Sequence, residues 1–308
     1  MPALGRLSAT FERLRAEQRA AFIPFFAAGD PDLETTKDLL KAAAASGADI
    51  LEVGVPFSDP IADGPVIQAA FHRSLEHGFQ VAHAFDLVQR LRRTGFDAPL
   101  LCMVSYTLVY RKRCMVDGGW WVETAREHHP PPTTHNPPST DGMRTFLTLC
   151  KKAGYDGVII PDLPVGYEGA ASGFAGELGL DLIFLVAPTT TPERRELIIQ
   201  RSRGFIYYVS VAGITGARST LPEDLVLNVR GIKERTGTPV CVGFGIAQPE
   251  QAAAVAACAD GVIVGSALVK KVDEAIARKL SGEALLQHVR PLLTQLAEAT
   301  HRARPCGF

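Results

Sequence analysis

The chain has 308 residues, 46% of them hydrophobic and 21% charged, enough for one large core or two modest domains. With 32 basic residues against 33 acidic ones the formal charge is −1, so no global field draws nucleic acid or anionic lipid to it. No apolar stretch approaches the roughly 20 residues that cross a bilayer, and six cysteines with no CxxC pair suit a reducing, cytoplasmic setting.

Near the start, Leu7 to Arg19 reads as a helix preceding the first strand. AAFIPFFAAG, Ala20 to Gly29, follows several arginines, but Glu12, Glu17 and Pro24 make it a buried strand rather than a secretion signal. Seven further short apolar runs follow: DILEVGVPF, PLLCMVSY, GVIIPDLP, DLIFLVAP, FIYYVSVAG, PVCVGFGI and GVIVGSALV. Amphipathic helical stretches such as DLETTKDLLKAAAASGAD and FQVAHAFDLVQRLRRTG lie between them, several ending in Gly, and a long helix closes the chain around Ala284 to Arg304.

Near-continuous apolarity along each run means burial on both faces, as in parallel strands covered by helices. Eight strand-helix units in one chain predict an α/β fold, a (β/α)8 TIM barrel occupying residues 1–308 as one domain. An open doubly wound sheet is the competitor, but FFAAGDPD after the first strand lacks the GxGxxG fingerprint. Arg111 to Gly142 breaks the rhythm after the third strand, where about 2 to 6 residues are usual. Its prolines and lack of apolar periodicity predict a flexible insertion. Cys114, His128, His129 and His135 within it match no common zinc spacing, and no metal site is expected.

The active site of such a barrel lies at the C-terminal ends of its strands. Glu52 stands in the second strand between Leu51 and Val53, with no basic residue in any strand core to pair with it. A carboxylate buried there has a raised pKa, which suits acid-base work near neutrality. Asp63 follows in SDPIADGP, a turn stiffened by prolines, where it can share a pocket with Glu52. AGITGA, GFGI and VGSALVKK supply glycine-rich loops after the last three strands, a pattern that receives phosphate on backbone N–H groups and a helix N-terminus. Phe25, Met103, Ile159, Tyr207 and Phe244 could form an apolar slot, and one of Tyr207 and Tyr208 is expected to point inward.

These segments together resemble the tryptophan synthase alpha chain family. LEVGVPFSDPIADGP matches its most distinctive stretch, and AAFIPFFAAGDPD, DGVIIPDLP, FIYYVSVAGITGAR, VGFGI and DGVIVGSALVK follow in order. The resemblance implies retro-aldol cleavage of indole-3-glycerol phosphate to indole and glyceraldehyde 3-phosphate. It also implies that the chain carries no cofactor of its own. By position, Glu52 would protonate the ring carbon and accept the side-chain hydroxyl proton, and Asp63 would bind the ring N–H and stabilise the resulting cation. Tyr207 would orient the carboxylates and Thr215 would support Asp63. Phe25 and Phe244 would sandwich the indole, while Gly216, Gly245, Gly265 and Ser266 would receive the phosphate.

The family normally pairs with a beta chain that holds pyridoxal phosphate, in an alpha2-beta2 complex, and docks through the region where the insertion begins. Two other readings stay open: a freestanding lyase, and a phosphate-ligand-binding activator of a beta chain without turnover of its own.

Overall fold

The computed structural model describes residues 5–60, 63–110, 140–209, 223–243 and 245–303. Its strands are β1 (Ala21–Ala27), β2 (Leu51–Gly54), β3 (Leu100–Met103), β4 (Gly157–Ile159), β5 (Asp181–Ile183), β6 (Leu185–Val186), β7 (Ile206–Val209), β8 (Val240–Gly243) and β9 (Gly261–Val264). They pair in the order β5-β4-β3-β2-β1-β9-β8-β7-β6, and each pairing is parallel. The two ends of this sheet, β5 and β6, are separated only by Phe184, so one chain segment closes the barrel.

The eight apolar runs are therefore the barrel strands, with the fifth, DLIFLVAP, divided in two. The break has a local cause. Phe184 N–H turns to the Ser202 hydroxyl at 3.3 Å, while its carbonyl accepts from Tyr207 N–H at 3.1 Å. The first half of the run serves β4 and the second half serves β7.

Period-two alternation sorts the strand residues into two layers. Ile23, Leu101, Ile159, Ile183, Cys241 and Ile263 fill the barrel interior, where Met103 and Tyr207 also pack. Phe22, Phe26, Val53, Cys102, Tyr208 and Val262 face outward beneath the helices. Thus Tyr207 is the inward member of the tyrosine pair. The N-terminal helix, Arg6–Ala16, seals the far end by placing Leu7, Phe11 and Leu14 against this interior cluster. Each such burial contributes about 1.5–3 kcal/mol.

Asp49 ties that end together. Burial alone would raise its pKa, yet His301 at 2.9 Å, Phe22 N–H at 3.1 Å and Arg19 at 3.0 Å hold it below the usual value. The final helix, Gly282–Arg302, is thereby joined to the first strand.

Three helices were not resolved by the sequence pattern: Pro65–Glu76, Ala171–Leu178 and the short Tyr106–Tyr110. Pro65 opens the first of these at a position where its missing N–H costs nothing. The inserted segment lies outside the described residues from 111 to 139, and Thr140–Ala153 resumes the barrel as a helix. Cys102, Cys150, Cys241 and Cys258 are buried thiols rather than members of a disulfide.

Candidate active site

Glu52 occupies the middle of the strand face, in register with Phe25 on one side and Leu101 on the other. Its side chain has no solvent exposure, and neither carboxyl oxygen has a hydrogen-bond partner among the described residues. A buried acid left in this state stays protonated well above its ordinary range. Burial, followed by the charge of Asp63, pushes Glu52 up to about 8.

Asp63 sits immediately before the helix Pro65–Glu76, in a turn closed by its own N–H to the Pro60 carbonyl at 3.0 Å. Gln68 pins the same turn from the first helical turn, donating to the carbonyls of Asp63 at 2.8 Å and Pro60 at 3.1 Å. Burial and then the facing charge of Asp162 raise the Asp63 carboxyl to about 6. The influence of the pair runs one way, because Glu52 is still uncharged over the range in which Asp63 ionises. At neutral pH the site therefore holds a protonated Glu52 beside an ionised Asp63. Two carboxyls with separated proton affinities are the arrangement that divides acid and anion roles.

Tyr207 comes from β7 on the opposite side of the barrel. Its phenol is pushed up by burial, and then by Glu52, Asp63 and Cys241, so it stays a neutral hydroxyl close to both acids. Gly243 in β8 makes room for it, since a Cβ there would lie 2.6 Å from the Tyr207 hydroxyl oxygen. Gly54 does the same for Phe25, where an added Cβ would lie 2.3 Å from the ring edge.

Phe25 forms the apolar part of the site with Phe71, whose ring centroid is 6.4 Å away, and with Ala70, Val269 and Met103. Gly265 lies against the Phe25 ring and leads into Ser266, the first residue of the helix Ser266–Ala277. Four N–H groups at such a helix start have no partner within the helix and attract anions. Gly245 follows β8 with φ of 74°, a left-handed conformation that glycine adopts without strain.

The structure thus gathers Glu52, Asp63, Tyr207 and Phe25 at one end of the barrel, with Gly265 and Ser266 beside Phe25. Thr215, Gly216 and Phe244 lie outside the described residues. Among those described, no group of three or more His, Cys, Asp or Glu residues is placed to hold a metal.

Two contributors escaped the sequence reading. Phe71 belongs to Val66, Ile67, Ala70 and Phe71, whose helical spacing was the available signal. Asp162 follows β4 in PDLP and is fixed by accepting from Ser105 Oγ and Tyr106 N–H, both at 2.7 Å. An acid beside proline at a strand's C-terminal end was the clue there.

Comparison with known proteins gives a consistent picture. The family model for the tryptophan synthase alpha chain matches residues 11–116 and 133–300, leaving unmatched a stretch inside the insertion. The alpha chain of Rhodopirellula baltica is 44% identical over 280 residues, covering 90% of each chain. That of Geobacter sulfurreducens is 40% identical over 280 residues, covering 91% of this chain and 95% of its own. Among solved structures, the alpha subunit from Legionella pneumophila superposes with a TM-score of 0.80 at 34% identity, covering 97% of this chain and 99% of that one. A Mycobacterium tuberculosis tryptophan synthase structure gives 0.78 at 33% identity, with 97% and 99% covered.

Proposed function

The chain belongs to the tryptophan synthase alpha chain family, and from that membership we propose that Glu52 and Asp63 divide the proton and charge work of its reaction. The family's activity is that of a lyase: indole-3-glycerol phosphate is cleaved to indole and glyceraldehyde 3-phosphate in tryptophan biosynthesis. The observation that carries the assignment is a fully buried, unpartnered Glu52 that keeps its proton up to about 8, beside an Asp63 that loses its own near 6.

Protonated Glu52 gives its proton to the indole carbon that bears the glycerol phosphate chain, leaving a ring cation whose charge is centred on nitrogen. Ionised Asp63 accepts the ring N–H and balances that charge where it develops. The Glu52 carboxylate then takes the proton of the adjacent hydroxyl. The carbon-carbon bond breaks, its electrons restore the aromatic ring, and the carbinol carbon becomes the aldehyde. Glu52 ends the cycle protonated, so no net proton is consumed. Tyr207 orients the two acids, Phe25 lies against the indole, and Gly245, Gly265 and Ser266 receive the phosphate. For Thr215, Gly216 and Phe244, the roles proposed are those that family membership implies: support of Asp63, phosphate contact and indole contact.

Carboxyl chemistry suffices for every step, and we propose that the chain uses no cofactor of its own. Family membership implies a beta-chain partner. An alpha2-beta2 assembly, with pyridoxal phosphate in the beta chain, is the form we propose. No helix among the described residues is long and apolar enough to cross a membrane, and a cytoplasmic setting fits the balanced charge and buried thiols.

Steady-state indole release, followed with and without a beta chain, tests this reading. Its kcat/KM is expected to be bell-shaped in pH. It falls below about 6, where Asp63 becomes neutral, and above about 8, where Glu52 loses the proton it must donate. Absence of indole both with and without the beta chain would leave only ligand binding, and equal release under both would favour a freestanding lyase.

A second expectation concerns the floor of the site. Gly54→Ala places a methyl group against Phe25 and is expected to cost about 1–3 kcal/mol of stability by overpacking. KM should rise more than kcat falls, because Phe25 touches the indole before and during reaction alike. Urea unfolding and steady-state kinetics of the variant check both parts.

A further inference from the structure

Arg73 joins three separate parts of the fold. It projects from the helix Pro65–Glu76, whose N-terminal end carries Asp63. Its Nε and Nη2 grip both carboxyl oxygens of Asp30, each at 3.0 Å, in the loop after β1. Its remaining nitrogen, Nη1, reaches Asp273 at 2.7 Å in the helix Ser266–Ala277, whose first residue is the proposed phosphate contact.

The Asp30 contact belongs to a wider anchor. Ser74 is fully buried and donates to the Ala28 carbonyl at 2.7 Å, and the His77 ring lies 3.0 Å from the Pro31 carbonyl. Asp30 itself is buried, and its forked pairing with Arg73 satisfies a charge that would otherwise be costly to the fold. The Asp273 arm is different, because that carboxylate is 54% exposed. Exposed ion pairs contribute little to stability, so this arm is poorly explained as a stabilising device. What it does is tie together two neighbouring helices that both contribute to the Phe25 cluster, Phe71 from one and Val269 from the other.

We propose that Arg73 and Asp273 form a positioning clasp that fixes the distance between the Asp63 turn and the phosphate-binding helix start, so that binding of the phosphate aligns the ring with the acids. This rests on the reading of Asp63 and Ser266 given above. A substrate held at both ends transmits binding free energy from its phosphate to the reacting centre only if those ends are rigidly related. The clasp supplies that relation across 200 residues of sequence.

The test compares indole release from indole-3-glycerol phosphate with release from its dephosphorylated analogue, in wild type, Asp273→Asn and Arg73→Lys. Lysine keeps the charge but cannot fork to both carboxylates. The rate advantage of the phosphorylated substrate is expected to fall about tenfold in both variants. Cleavage of the analogue and the Tm of Asp273→Asn should stay near wild type. Retention of the full advantage in Asp273→Asn overturns the proposal, as does an equal slowing of both substrates, which marks simple structural damage. If wild type shows no preference for the phosphorylated substrate, the phosphate site itself is misassigned and the clasp falls with it. Arg73→Lys also weakens the Asp30 grip, so a lost advantage in that variant alone would assign the effect to the Asp30 anchor and overturn the clasp.

Discussion

Glu52→Gln is expected to lower indole release by about 10³-fold, in the range that general acid-base groups contribute, while changing the affinity for glycerol 3-phosphate by less than about threefold. The amide keeps the shape of the side chain but has no proton to deliver and cannot accept one from the hydroxyl. Equal loss of turnover and phosphate affinity would mean that Glu52 serves the fold rather than the reaction.

The same substitution carries an opposite expectation for stability. Folding raises the Glu52 value from about 4.5 to about 8, so the folded state holds a proton that the unfolded chain releases. Stability from this group is complete below the unfolded value, declines as pH rises, and is lost above about 8. Glutamine does not titrate. Relative to wild type, Glu52→Gln should therefore gain about 3–5 kcal/mol between pH 4 and pH 10, measurable by urea unfolding at each pH. The active acid is in this sense a cost to the alkaline stability of the barrel.

Asp63→Asn removes the charge that balances the ring cation and leaves an acceptor for the ring N–H. Loss of one such group facing a developing charge typically costs about 10²–10³-fold in kcat. The acidic limb of the pH profile should also disappear, because Glu52, the acid that remains in the site, titrates near 8. Because the Asp63 charge is one cause of the raised Glu52 value, the alkaline limb should move to lower pH in the residual activity. A variant with wild-type kcat would remove Asp63 from the chemistry.

Local signals made much of this molecule legible. Eight apolar runs alternating with amphipathic stretches specified the barrel, because strand burial on both faces and helical periodicity are written within a few residues. Glu52 was legible for a related reason, since an acid among Leu51, Val53 and Val55 contradicts its own strand unless it has work to do. The turn that holds Asp63 announced itself through Pro56, Pro60 and Pro65.

What escaped depends on contacts between distant segments. The fifth run looked like one strand because nothing within it reveals that Ser202 diverts the Phe184 N–H. The helix Pro65–Glu76 was overshadowed by the acidic turn before it, although Val66, Ile67, Ala70 and Phe71 share one helical face. Asp162 gains its influence on Asp63 through space. Arg73 meets Asp30 from 43 residues away and Asp273 from 200 residues away, and no local pattern encodes either pairing.

The state of Glu52 in the free protein can be read directly by carboxyl ¹³C NMR of glutamate-labelled protein across pH 4 to 10. One glutamate signal should titrate near 8, be missing from Glu52→Gln, and shift its midpoint downward in Asp63→Asn. If every glutamate titrates in the ordinary range near 4.5, Glu52 is ionised at neutral pH, and it cannot be the acid that begins the cleavage.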